Sequence, residues 1–211
     1  MIGLEIDSVG VSYGDRPVLT AASLRAPPGK VTELVGRNGV GKTTLLRVGV
    51  GLQQATHGVV RFNGRAYVRP RLSRLARAGL FYLPAREILD PFIPAGLQLQ
   101  AVSRHYKGPN AEALAESFGL AELFMARPAS FSGGELRRAI DPRDVEVIGL
   151  ALRSAAAAGA AVVVTGHELG PLREMADAVV WCVAGTTHEF PQAADGWADA
   201  QLQRDFLGSD L

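Results

Sequence analysis

The sequence contains a single cysteine, Cys182, in 211 residues, which excludes any disulfide framework. That cysteine lies in the apolar run Ala178-Val179-Val180-Trp181-Cys182-Val183, where a packed core thiol is expected. Lysine is almost as scarce: only Lys30, Lys42 and Lys107 occur among the 22 basic residues, the others being arginine. A net charge of +1 offers no electrostatic footprint for nucleic acid, and no nucleic-acid partner is expected. The cluster Arg69, Arg71, Arg74 and Arg77 lacks interleaved aromatics and reads as a solvated helix face. Long hydrophobic runs are missing as well. The longest, Ala155 to Val164, is alanine-rich and far too short to cross a bilayer, and Met1-Ile2-Gly3-Leu4-Glu5 lacks the basic region and cleavage site of a leader. These absences predict a cytoplasmic chain.

What is present is an ordinary globular composition: at 47% hydrophobic and 20% charged, the chain can build one substantial core and a small subdomain. Strand-like segments fall near residues 2–7, 17–20, 31–35, 58–62, 80–83, 161–165 and 178–183, separated by turns or by helical periodicity. Their order predicts an α/β fold with an antiparallel β entry. Beyond Pro91 and Pro94 the pattern becomes helical, including Ala111 to Phe118 and Ala121 to Met125. We therefore expect a single domain over 1–211, with an α/β core at 1–84 and 141–211 and a helical subdomain at 85–140. After Phe190 the chain reads as a polar, less patterned tail.

The segment Gly36-Arg37-Asn38-Gly39-Val40-Gly41-Lys42-Thr43-Thr44 is a complete G-x-x-x-x-G-K-[ST] phosphate loop, set between the strand Val31 to Val35 and the helix Thr44 to Val50. In such a loop successive N–H groups point inward at phosphate, and the helix N-terminus adds a favourable dipole. Lys42 supplies an ammonium to the β/γ-phosphates, and the Thr43 hydroxyl a ligand to Mg²⁺. In a chain so poor in lysine, Lys at that slot is a chemical choice, because a guanidinium would be too bulky and rigid for it. The motif predicts that residues 36–44 bind a nucleoside triphosphate.

Farther on, Ser132-Gly133-Gly134-Glu135 opens a helix as a capping box, with Ser132 as N-cap and Glu135 reaching back from the third helical position. Downstream of a phosphate loop, Phe131-Ser132-Gly133-Gly134-Glu135 resembles the L-S-G-G-Q signature of ATP-binding cassette (ABC) ATPases, and the resemblance covers nearly the whole chain. It implies a P-loop NTPase core of the ABC type with a helical subdomain. It also implies that Ser132, Gly133, Gly134 and Glu135 face the γ-phosphate of another subunit's ATP. Tyr13 matches the family's adenine-stacking aromatic; read alone, it is a hairpin aromatic packed on its own sheet. His167 matches the switch histidine, which contacts the γ-phosphate and helps order the attacking water; read alone, it is a solvated loop residue. Asp141 matches the D-loop and is equally an N-cap ahead of Pro142, with Val145, Ile148 and Leu152 forming a buried stripe.

The function implied by the resemblance is that of the ATP-binding subunit of an ABC transporter. MgATP would be bound and hydrolysed, with Lys42 and His167 catalytic, at the head-to-tail interface of a homodimer or heterodimer of ABC subunits. Separate integral-membrane permease subunits would carry the cargo and hold the chain at the inner face of the cell membrane. The rival reading is a degenerate, non-hydrolytic nucleotide-binding partner or regulatory subunit.

Two departures from the family pattern support that rival. Between signature and D-loop the family places a long helix and an apolar strand ending in the Walker B pair, Asp-Glu, which holds Mg²⁺ and polarises the attacking water. Here Glu135-Leu136-Arg137-Arg138-Ala139-Ile140 runs directly into Asp141, so a block of roughly 20 residues is absent by ordinary element lengths. A segment omitted between Ile140 and Asp141 is the favoured explanation, because a true deletion would leave backbone groups unpaired and an apolar face uncovered. The second departure is Leu83-Pro84-Ala85, where the family has Leu-Pro-Gln and uses the glutamine to ligate Mg²⁺ and couple to the membrane partner.

Overall fold

In the computed structural model, residues 3–84, 89–131, 142–165 and 170–207 are described. Their strands are β1 (Leu4–Tyr13), β2 (Arg16–Ala26), β3 (Val31–Val35), β4 (His57–Phe62), β5 (Arg65–Tyr67), β6 (Val162–Val164), β7 (Ala178–Val183) and β8 (Thr186–Phe190). They form one sheet in the order β5-β4-β1-β2-β8-β7-β3-β6. The entry is antiparallel, β1 pairing with β2 and β4, and β4 with β5. The centre is parallel, with β3 between β6 and β7. Every residue of β3 is buried, as expected of a parallel strand covered on both faces.

The two halves of the sheet are joined thinly. β2 and β8 share one backbone register point, Ala21 with Thr186. Beyond it the Thr187 hydroxyl takes over the ladder, accepting from Ser23 N–H at 2.7 Å and donating to the Ser23 carbonyl at 2.8 Å. Backbone groups that geometry leaves without a strand partner are thus satisfied by a side chain.

Two compact units divide the chain. The first comprises Met1–Leu80 and Ile148–Leu211 and carries the sheet. Helix α1 (Lys42–Gly49) buries Leu45 and Val48 against Ile6, Leu19, Leu24, Leu34 and Val180. On the opposite face Val35, Val179 and Trp181 pack with Trp197 and Leu202. Alternation along β3 explains the division, since Leu34 and Val35 point to opposite sides. A short helix α2 (Leu72–Arg77) buries Leu75 and leaves its arginines exposed.

The second unit, Phe81–Val147, contains α3 (Ala95–Tyr106) and α4 (Ala111–Ser117). Asn110 caps α4, its side-chain oxygen accepting from the N–H groups of Glu112 (2.8 Å) and Ala113 (3.2 Å). Ala111, Ala115 and Phe124 form its small core, with Leu99 and Leu120 against them. The stretch Ala121 to Met125 makes a tight 3₁₀ turn, Ala121–Leu123, rather than a full helix.

Three further expectations are corrected. Residues 80–83 are assigned to no strand: Leu80 is buried while Phe81 and Leu83 are exposed, so the apolar run is divided between environments. The chain after Val183 continues as β8 and, past Phe190, as two short helices, α7 (Ala193–Ala198) and α8 (Ala200–Leu202). The helices α5 (Pro142–Ala157) and α6 (Gly170–Met175) lie between. In α5 two members of the anticipated stripe are not buried, Ile148 being 43% exposed and Leu152 only partly covered, while the Val145 side chain lies outside the described residues. Among the described residues the sheet ends at three-residue β6, which offers α5 little surface to pack against.

Candidate nucleotide site

The loop 36–41 leaves the buried end of β3 and delivers its last residue as the N-cap of α1. Two glycines make this path possible. Gly36 has φ 140°, and a Cβ there would lie 2.3 Å from the Cys182 carbonyl oxygen. Gly41 has φ 115° and approaches the Leu19 side chain to 2.8 Å from the place a Cβ would occupy. A side chain at either position meets both steric overlap and an unfavourable left-handed backbone. Leu45 N–H donates to the Gly41 carbonyl at 2.8 Å, fixing the first helical turn below the loop.

Lys42, the first residue of α1, is 8% exposed and folds back into the loop. Its Nζ donates to the Gly36 carbonyl and, at 3.0 Å, to the Arg37 carbonyl. Burial pushes its pKa down, and the nearby Cys182 thiolate form would act in the opposite direction. Cys182 is itself buried, with Sγ 3.7 Å from the Val40 carbonyl oxygen, and desolvation raises its pKa to about 11. It is a neutral packed thiol under the loop, as the sequence suggested. The site therefore presents a desolvated ammonium held by two neutral carbonyls.

Above the loop is a cavity of about 480 Å³, lined by Tyr13, Arg16, Val18, Asn38, Gly39, Gly41, Lys42, Thr43 and Thr44. Tyr13, at the end of β1, is 50% exposed, and its hydroxyl lies 3.4 Å from Gln53 Oε1. It faces the cavity rather than packing wholly on its own hairpin. Arg37, Asn38 and Gly39 are exposed at the loop crest, and Val40 is partly buried. Arg16 and Val18 were not anticipated. Their signal was the period-two alternation of β2 beside the hairpin, where Tyr13 pairs with Arg16.

The family model described as ABC transporter matches residues 19–140. The chain belongs to the ABC transporter family. Among its ABC relatives is a methionine import ATP-binding protein of Rhizobium etli, 28% identical over 228 aligned positions that cover 93% of this chain and 63% of that protein. A zinc import ATP-binding protein of Halorhodospira halophila is 29% identical, with 84% of this chain and 72% of that one covered. The Nod factor export ATP-binding protein I of Paraburkholderia xenovorans is 30% identical, with coverages of 78% and 62%. This chain thus spans less than two thirds of the first and third of these relatives. A solved ATP-binding subunit of an ABC transporter shares the fold with a TM-score of 0.78 at 20% identity, covering 98% of this chain and 96% of the other. A bacterial Atm1-family ABC exporter solved with ATP bound gives a TM-score of 0.79 at 19% identity, over all of this chain and 42% of that one.

Since 93% of 211 residues is about 196, about 32 of the 228 positions aligned with the methionine import protein have no counterpart here. The family match ends at Ile140, which Asp141 follows directly in the full sequence. The sequence is thus shorter than this relative over the aligned stretch, and the family match stops at the junction before Asp141. Among the described residues no group of three or more His, Cys, Asp or Glu could hold a metal ion. Thr43, exposed on the cavity wall, offers a hydroxyl that would hold a Mg²⁺ brought by a nucleotide. Ala85, the signature residues Ser132, Gly133, Gly134 and Glu135, Asp141 and His167 lie outside the described residues.

Behind the loop, β3 carries a buried carboxylate that sequence reading passed over. Glu33 is fully buried, and neither of its oxygens has a hydrogen-bond partner among the described residues. Burial raises its pKa from 4.5 to about 7, partly offset by the Arg173 charge. Arg173, on α6, sits 4.8 Å above the Trp197 ring on the same side of the sheet.

Proposed function

We propose that this chain is the ATP-binding subunit of an ABC transporter, binding MgATP in the loop 36–44 and hydrolysing it at a head-to-tail dimer interface. Lys42 carries the reading. A desolvated ammonium with only carbonyl partners gains most from an anion, because a charged acceptor in a low-dielectric site binds it more strongly than a neutral one. On nucleotide binding the ammonium exchanges those carbonyls for β/γ-phosphate oxygens, while loop amides and the α1 N-terminus hold the remaining charge. Tyr13 takes the adenine ring on its exposed face. The chemistry that Mg²⁺ supplies when bound is neutralisation of phosphate charge, with Thr43 as its protein ligand.

In the dimer, Ser132, Gly133, Gly134 and Glu135 of one subunit close on the nucleotide of the other, Asp141 lies at the junction, and His167 orders the attacking water. The helical subdomain spans 85–140. Separate integral-membrane permease subunits carry the cargo and hold the chain at the inner face of the membrane. Exposed Phe92, Ile93 and Leu97, leading into α3, support an apolar partner for that subdomain. Without the Walker B pair in the sequence and with Ala85 in place of the Q-loop glutamine, turnover is expected to be slow. The test is phosphate release by the purified chain: Lys42→Ala is expected to abolish it, and an unchanged rate in that variant would remove the site assignment.

A further inference from the structure

From Leu34 to Arg86 the chain holds ten Arg and Lys residues and no Asp or Glu, although its net charge overall is only +1. The fold gathers half of these cations on one surface. Arg65 lies on β5, Arg69 and Arg71 on the connection to α2, and Arg74 and Arg77 on α2 itself; all five are exposed. Arg74 and Arg77 are i, i+3 neighbours on one face of α2, with Arg71 at its N-cap, while Leu75 turns inward. Arg65 and Arg74 converge over the buried Tyr67 ring, their guanidinium carbons 5.7 and 5.5 Å from its centre. Arg61, the next basic residue toward β1, is neutralised by Glu5 and Asp7. None of the five makes an ion pair among the described residues. Within the cluster Val68 projects, 82% exposed.

We propose that this β5–α2 face binds anionic phospholipid headgroups directly. Unpaired arginines on one surface match phosphodiester charge, and an apolar side chain among them suits the boundary between headgroup and acyl chain. Nucleic acid fits the face less well. The aromatic of the cluster, Tyr67, is buried beneath two guanidinium groups, so no ring is open to stack on a base. The membrane setting rests on the proposed permease partnership, but the contact itself needs neither ATP nor permease.

The experiment is co-sedimentation of the full chain with vesicles of phosphatidylcholine alone or phosphatidylcholine containing phosphatidylglycerol, at low and high salt. The chain is expected to pellet with the anionic vesicles only, less as salt rises, and with about fivefold weaker partition for each arginine removed. R71Q/R74Q/R77Q should therefore lose about a hundredfold. Should circular dichroism show that variant unfolded, Arg69→Gln in the connecting segment should still lose about fivefold. Lys42→Ala is expected to bind vesicles as the wild type does, so a failure of the nucleotide reading is distinguishable from a failure of this one. Equal pelleting with neutral vesicles, or undiminished binding by the folded arginine variants, would overturn the proposal. So would displacement by inorganic phosphate beyond the effect of matched sodium chloride, which marks a free-phosphate site, or retention of a short RNA duplex without vesicle binding, which marks a nucleic-acid face.

Discussion

Position 36 requires a residue without a Cβ, and the reason lies 146 residues away in sequence, at the Cys182 carbonyl. Gly36→Ala combines a backbone clash with a left-handed φ. It is expected to cost about 2–4 kcal/mol of stability, read as a fall in thermal midpoint, and an unchanged midpoint would contradict the loop geometry. Lys42 and the loop glycines were legible in the sequence because a phosphate loop is local: nine consecutive residues specify its path. Arg16, Val18 and Cys182 were not legible as parts of the site. They reach it through strand pairings between distant segments, and register of that kind is set by the sheet as a whole.

Glu33 shows what a single strand tolerates. Its side chain occupies an inward position of β3, in register with Val164 on one side and Val179 on the other, where Val would be the ordinary choice. With its folded pKa raised from 4.5 to about 7, the native state binds more protons than the unfolded state in that window. Stability therefore falls as pH rises from about 4.5 through about 7 and stays lower above it. Glu33→Gln, which remains neutral, is expected to flatten that slope and to gain on the order of 3 kcal/mol above pH 8. Chemical denaturation at pH 5 and pH 8 checks this; equal stabilities of both proteins at both pH values would contradict it. The strands β3 and β7 were legible because β-branched runs bounded by turns are strong signals. β8, Thr186–Phe190, was hidden because its polar residues form a strand only when β7 is beside it.

At the scale of the whole molecule, the missing block before Asp141 is the main departure from the ABC pattern. The sheet, the loop and the cavity over Lys42 are all present in this chain. ATP is expected to drive the chain from monomer to dimer, seen as a doubling of mass by light scattering. A mass unmoved by saturating ATP would contradict the head-to-tail arrangement while leaving the loop assignment intact. The most direct test of the account is a calorimetric titration of MgATP into the wild type and into Lys42→Ala. The account predicts saturable binding by the wild type at one site per chain and an affinity at least about tenfold weaker in the variant, the loss of one charge-assisted contact to phosphate. Equal affinities, or no binding by the wild type, would contradict it.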